Sequence, residues 1–291
     1  MFTRNDLKQR AKDVLKKNYW TALALVALIY LADMVLALGI FALTFPTMLF
    51  ASLSGYHYTP VNDVISVISS IFSIVVSLFL MPLNVGFFRS LIKMSNGESS
   101  EIKDIIWGYK NKFGNTISTY IRYFVIVFLL SLIASAAAVF GLWLPAFSIK
   151  YFEIGMIYEL ELCLIYASGI LFMFIGMIPA LIKSYDYYLA GFILAEETDL
   201  TGKEVLKRSK ALMKGHRFFT FKLYISFLGW AFLGLICCCG LGMIFVTPYI
   251  YQTQTELYLE LTGKKKDTVY DVEFKETSEP ENEENTEEEN F

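Results

Sequence analysis

Apolar residues run along the chain in blocks of membrane length, at about 19–43, 64–88, 117–144 and 157–182, with a last block over 219–262. A helix crosses the hydrocarbon core of a bilayer with roughly 20 consecutive apolar residues, so each of the first four blocks predicts one span. The last block is too long for one. Residues 219–237 are strongly apolar, Cys238-Cys239-Gly240-Leu241-Gly242 carries the glycines of a tight turn, and 242–262 is apolar on one face only. That second half, Met243 to Leu261, reads either as a sixth span or as an amphipathic helix on the membrane surface.

Charge decides between the two. With six spans and an inside N-terminus, 24 of the 25 Lys and Arg residues fall on the inner side and only Lys150 falls outside. Five spans would strand Lys264, Lys265 and Lys266 on the outer face, against the excess of Lys and Arg that cytoplasmic loops carry. The predicted fold is all-α: a polytopic membrane bundle of six transmembrane helices (19–43, 64–88, 117–144, 157–182, 219–237 and 242–262) in three hairpins, both termini cytoplasmic. The apolar stretch from Lys183 to Glu197 is bracketed by Lys183, Asp186, Glu196 and Glu197, and reads as the inner continuation of the fourth helix or as an interfacial segment.

An amphipathic cytoplasmic segment is expected before each hairpin. Asp6 to Lys16 and Glu204 to Lys214 align without a gap, setting Arg10 on Arg208, Lys12 on Lys210 and Lys16 on Lys214; Ile102 to Lys110 is a shorter, looser copy. Such internal similarity predicts a threefold repeat. Leu7, Ala11, Val14 and Leu15 fall on one helical face, as do Val205, Leu206, Ser209, Leu212 and Met213. Helices of this kind either lie on the inner membrane surface, drawn to anionic headgroups by about 1 kcal/mol per basic residue, or pack on the inner ends of the spans. Lys12, Lys16, Lys17, Arg208, Lys210 and Lys214 are the expected headgroup contacts. The second helix of each hairpin carries a proline, Pro82, Pro179 or Pro248, and each predicts a kink around a freed carbonyl that a neighbour must satisfy.

Composition narrows the class. Hydrophobic residues make up 55% and charged residues 18% of the 291, well off the soluble norm, which excludes a soluble enzyme, a secreted disulfide domain or a nucleic-acid-binding module. The net charge of −3 conceals an asymmetry: residues 267–291 hold eleven acids and one Lys, leaving 24 basic against 17 acidic residues in the rest. Residues 1–263 are thus read as the membrane domain and 264–291 as a disordered acidic cytoplasmic tail. Cys163 and the Cys237-Cys238-Cys239 run lie in or beside apolar segments without CxxC spacing, so they read as packing residues rather than disulfides or a metal site. No cleavable signal peptide is expected, because the first apolar block is too long for an h-region.

Polar residues at membrane depth are functional-site hypotheses by default. Asp33 sits in the middle of the first span, Asn84 follows Pro82, and Gln252 and Glu256 lie one turn apart on the most polar span. Together they form a candidate intramembrane polar path. Lys183 and Asp186, at i and i+3, are expected to pair, with Tyr185, Tyr187 and Tyr188 beside them as an interfacial belt. HExxH, GxSxG and P-loop motifs are absent, and so is any carboxylate pair beside a candidate nucleophile; no catalytic residue, cofactor or metal is expected.

Several strings resemble a known family: Leu7-Lys8-Gln9-Arg10-Ala11-Lys12-Asp13 leading to Lys17-Asn18-Tyr19-Trp20, Gly86-Phe87-Phe88-Arg89, Ile182-Lys183-Ser184-Tyr185, Met213-Lys214-Gly215-His216 and Thr247-Pro248-Tyr249-Ile250. Over roughly 1–263 the chain resembles the uncharacterised bacterial integral membrane family called domain of unknown function 975. More distantly, its layout is similar to the membrane domain that precedes some glycerophosphodiester phosphodiesterases. The resemblance implies a bacterial inner-membrane location and brings no activity. The expected function is a non-enzymatic scaffold, regulator or envelope-protective protein touching anionic lipids and an unidentified protein partner. The alternative is a transporter or carrier of a small amphiphilic or lipidic substrate.

Overall fold

The structure is a computed structural model that describes residues 3–54, 60–111, 113–152, 158–197, 199–236 and 242–264. The Cys237-Cys238-Cys239 run, the turn that follows it and the acidic tail after Lys264 lie outside the described residues. The elements are α1 (Arg4–Ser54), α2 (Pro60–Ser95), a 3-10 helix (Ile102–Ile106), α3 (Trp107–Asn111), α4 (Phe113–Phe152) and α5 (Tyr158–Asp186). They continue with α6 (Ala190–Glu196), α7 (Gly202–Met213), α8 (Arg217–Ile225), α9 (Leu228–Ile236) and α10 (Gly242–Thr262). Among the described residues there is no strand.

Five stretches are long and apolar enough to cross a membrane: Arg4–Pro46, Val64–Ser95, Phe113–Gly141, Ile165–Glu196 and Arg217–Ile236. Large apolar side chains stand exposed along them, among them Val35, Ile71, Ile133, Phe174 and Phe232. A soluble monomer rarely exposes contiguous apolar surface on that scale, so these faces belong in lipid. α10 has the length, 21 residues, but carries Gln252, Gln254, Glu256 and Glu260 and is not among the five.

Nearly all of the buried side chains gather at one end of the bundle, its packed or inner end, around α6, α7 and α10. Three apolar clusters lie there: one around α6 and α7, one joining Val14 to Val26 of α1 with Phe87 to Met94 of α2, and one around Leu7, Leu223, Phe227 and Leu257. Three segments start alike, a backbone N–H donating to an acid three residues on: Thr3 to Asp6 at 2.8 Å, Glu101 to Asp104 at 3.1 Å and Thr201 to Glu204 at 2.8 Å. This reciprocal capping satisfies orphan donors at a helix start. The first segment then runs into its span without a break, as one 51-residue helix.

Close approach fixes the remaining geometry. Gly86 of α2 lies under the 3-10 helix so tightly that a Cβ there would sit 2.0 Å from the Ile105 carbonyl oxygen. A Cβ on Gly108 would sit 2.1 Å from the Pro82 carbonyl oxygen. The stretch from Lys183 to Glu197 begins as the end of the fourth long helix and goes on as a separate short one. α5 ends at Asp186, the chain turns, and α6 enters the core with Ala190 to Ala195 all buried.

Candidate functional site

The polar half of α10 is the post around which the inner elements gather. Gln252, Thr253, Gln254, Thr255, Glu256, Leu257, Tyr258 and Leu259 are all buried. Its threonines need little outside help: Thr253 donates to the Tyr249 carbonyl at 2.8 Å and Thr255 to the Tyr251 carbonyl at 2.9 Å, each one turn back. The longer polar side chains reach sideways. Gln252 Nε2 donates to Ser95 Oγ at 2.5 Å, and Ser95 Oγ donates to Glu256 Oε1 at 2.7 Å, so the last residue of α2 bridges two groups one turn apart on α10. Gln254 Nε2 donates to the Tyr224 hydroxyl at 2.8 Å, which donates to Tyr188 at 2.9 Å.

Ion pairs tie the end of α10 to its neighbours. Arg10 meets Glu260 at 2.7 Å; Lys264 meets Glu196 at 3.0 Å and Glu197 at 2.8 Å; Arg208 meets Glu197 at 2.7 Å. Tyr258 donates to Glu196 at 2.5 Å. Burial acts most strongly on Lys264 and works to lower its pKa, but the carboxylates of Glu197 and Glu196 outweigh it and raise the ammonium above its ordinary value. Asp186, 1% exposed, lies between Lys183 at 3.4 Å and Arg217 at 2.5 Å. The Lys183 pair follows from sequence spacing; Arg217, 31 residues away, does not. Tyr185, Tyr187 and Tyr188 pack on the α6 cluster, a role the interfacial reading did not foresee.

Of the proposed intramembrane path, only Gln252 and Glu256 are brought together. Asp33 stands exposed on α1 and Asn84 is half-buried on α2. The three prolines lie inside continuous helices, with Pro82 and Pro248 buried and Pro179 exposed. Beside two of them a tyrosine reaches the backbone: Tyr109 donates to the Phe79 carbonyl at 2.6 Å and Tyr19 to the Phe245 carbonyl at 3.4 Å, each next to the carbonyl, Leu78 or Ile244, that the proline leaves without its helical N–H. Lys12, Lys16, Lys17, Arg208, Lys210 and Lys214 are all exposed. Among the described residues no cluster of His, Cys, Asp or Glu is built to hold a metal. Cys163 is exposed on α5.

Glu196, Glu197, Tyr258 and the Ser95 bridge were not foreseen as a group. Only the Gln252–Glu256 spacing signalled that this helix needed partners, because the partners lie 60 to 160 residues away in sequence.

Five apolar helical stretches long enough to cross a membrane mark a multi-pass helical membrane protein. The chain belongs to the family described as Protein of unknown function (DUF975), whose family model matches residues 1–265. No curated protein and no solved structure matches it, and the more distant similarity to the phosphodiesterase membrane domain gains no support.

Proposed function

We propose that the protein is a non-enzymatic membrane scaffold or regulator: six spans in three repeated hairpins, both termini on the cytoplasmic side of a bacterial inner membrane, and a basic inner surface that engages anionic headgroups and a protein partner. One observation carries this reading. The segments before the first and third hairpins bury Leu7, Ala11, Val14, Leu15, Val205, Leu206 and Met213 in the protein's own core, and turn their basic residues outward. The apolar face is used for packing, so lipid is met through charge. Some of that charge is already engaged: Lys16 pairs with Asp13 at 2.7 Å, Arg208 with Glu197, and Lys12 lies 5.8 Å from the Tyr249 ring centre.

The same geometry supports a scaffold over a carrier. Gln252 and Glu256 are engaged with Ser95 in a packed interior, while Asp33 is exposed on α1. α10 enters the reading as the sixth span because its buried polar half is shielded by neighbours from lipid. The test is native mass spectrometry of the protein extracted gently from its own membrane, beside a variant with Lys12, Lys16, Lys17, Arg208, Lys210 and Lys214 changed to Gln. The reading expects an excess of anionic over zwitterionic lipid on the native protein and loss of that excess in the variant. A single stoichiometric small molecule, lost in Asp33→Asn or Glu256→Gln, would overturn it in favour of a carrier.

A further inference from the structure

A cleft of about 770 Å³ opens between α1 and α2, apart from the buried polar residues of α10. Its walls are hydrocarbon, with Leu28, Val35 and Leu36 on α1 and Phe72, Val76 and Leu80 on α2. The inner end is floored by the 3-10 helix through Ile102, Ile105 and Ile106, together with the ring of Tyr109, whose hydroxyl is engaged by the Phe79 carbonyl. At the outer end the helices close up, where a Cβ on Gly39 would lie 3.6 Å from the Phe72 ring. From Leu28 to Gly39 the cleft runs about 16 Å along α1.

Three considerations select the occupant. Water is disfavoured, because a buried water needs two to four polar partners and the lining offers only Lys103 and the engaged Tyr109 hydroxyl. A partner's helix, about 10 Å in diameter, is stopped by the 3-10 helix that floors the cleft. An acyl chain entering sideways from the bilayer fits both the width and the closed ends. Charge then sets the headgroup. Lys103 lines the inner end, 75% exposed, and its pair with Glu101 at 2.7 Å is itself open to solvent. An exposed pair of this kind holds weakly and exchanges readily for a phosphate. Asp104, the other nearby acid, is engaged by Lys93 at 3.0 Å. Ile102 and Ile106, 52% and 50% exposed, place the 3-10 helix at an apolar boundary.

We propose that this cleft holds one acyl chain of an anionic phospholipid of the inner leaflet, with the phosphate on Lys103. The site shares no residue with the basic surface proposed above, and the two stand or fall separately. The full-length protein is stripped of lipid in detergent and titrated with phosphatidylglycerol or phosphatidylcholine under native mass spectrometry. One phosphatidylglycerol per chain is expected to resist removal, and to persist when Lys12, Lys16, Lys17, Arg208, Lys210 and Lys214 of the basic inner surface are changed to Gln. Ala32→Trp and Val76→Trp, which fill the cleft, are expected to abolish that retention. Lys103→Gln should keep the chain but reduce the preference over phosphatidylcholine about fivefold. Equal retention of both lipids by the native protein, or undiminished retention in the Trp variants, overturns the proposal. Should either Trp variant fail to fold, photocrosslinking with phosphatidylglycerol bearing a diazirine on its acyl chain decides on the native protein. Label within 28–39 and 72–83 supports the cleft, and label confined elsewhere refutes it.

Discussion

The inner and outer halves of this protein are built on opposite terms. In the inner half, polar and charged side chains are buried and α1, α2, α6, α8 and α9 reach α10, so Gln252, Gln254, Glu256 and Glu260 all find partners. In the outer half, the spans expose leucine, isoleucine and phenylalanine along most of their length. Lipid tails are as apolar as those side chains, so burying them against protein gains little there, whereas an unmet hydrogen bond costs the full desolvation of the group. The specificity of the fold therefore resides at the inner surface, and substitutions should be felt there first.

The sharpest break in that comparison comes from glycine. Gly86→Ala forces a Cβ onto the Ile105 backbone and is expected to cost about 3 kcal/mol or more, read as loss of membrane abundance. Gly229→Ala in α9, where nothing lies within 4 Å of the new Cβ, should be neutral or stabilise by about 0.5 kcal/mol. A similar loss in both would erase the distinction between the halves. Next in size is Asp186→Asn, which leaves Arg217 and Lys183 beside a neutral group. With both cations partly exposed, about 2 kcal/mol is expected, measured as a lower Tm in detergent.

Ser95→Ala removes the bridge between Gln252 and Glu256 and should cost about 1–2 kcal/mol, visible as faster hydrogen exchange at the inner end of α2. The smallest effect is acid loosening of the 3-10 helix. Burial, the largest influence on Asp104, raises its pKa, yet the Glu101 amide and Lys93 together hold it below the ordinary 3.8. A lowered carboxylate pKa contributes stability above its unfolded value, and that contribution is lost as pH falls through the folded one. A Tm profile that steepens below about pH 4 in the native protein, and less so in Asp104→Asn, is the expected outcome.

The spans were legible because a 20-residue apolar run has one meaning, and the basic clusters because their aliphatic neighbours kept a helical period. Which side of a span faces protein was not legible: α1 is apolar all round, so nothing in its sequence told that Asp33 would be exposed. The role of α6 was hidden as well, since a short apolar run between charges fits an interface or a core equally. What distinguishes them is tertiary, the Arg89 side chain on the Ala195 carbonyl at 3.1 Å and Lys264 on Glu196 and Glu197. The need of Gln252 and Glu256 for company was readable; Ser95 as that company was not.

The polar half of α10 is a structural post. The direct measurement is thermal stability and membrane abundance of Glu256→Ala beside Asp33→Asn, in one detergent. The account predicts a loss of about 2 kcal/mol for Glu256→Ala, a fall in Tm of roughly 4–8 °C with lower abundance, and no change for Asp33→Asn. A Glu256→Ala protein as stable and abundant as the native one would contradict it.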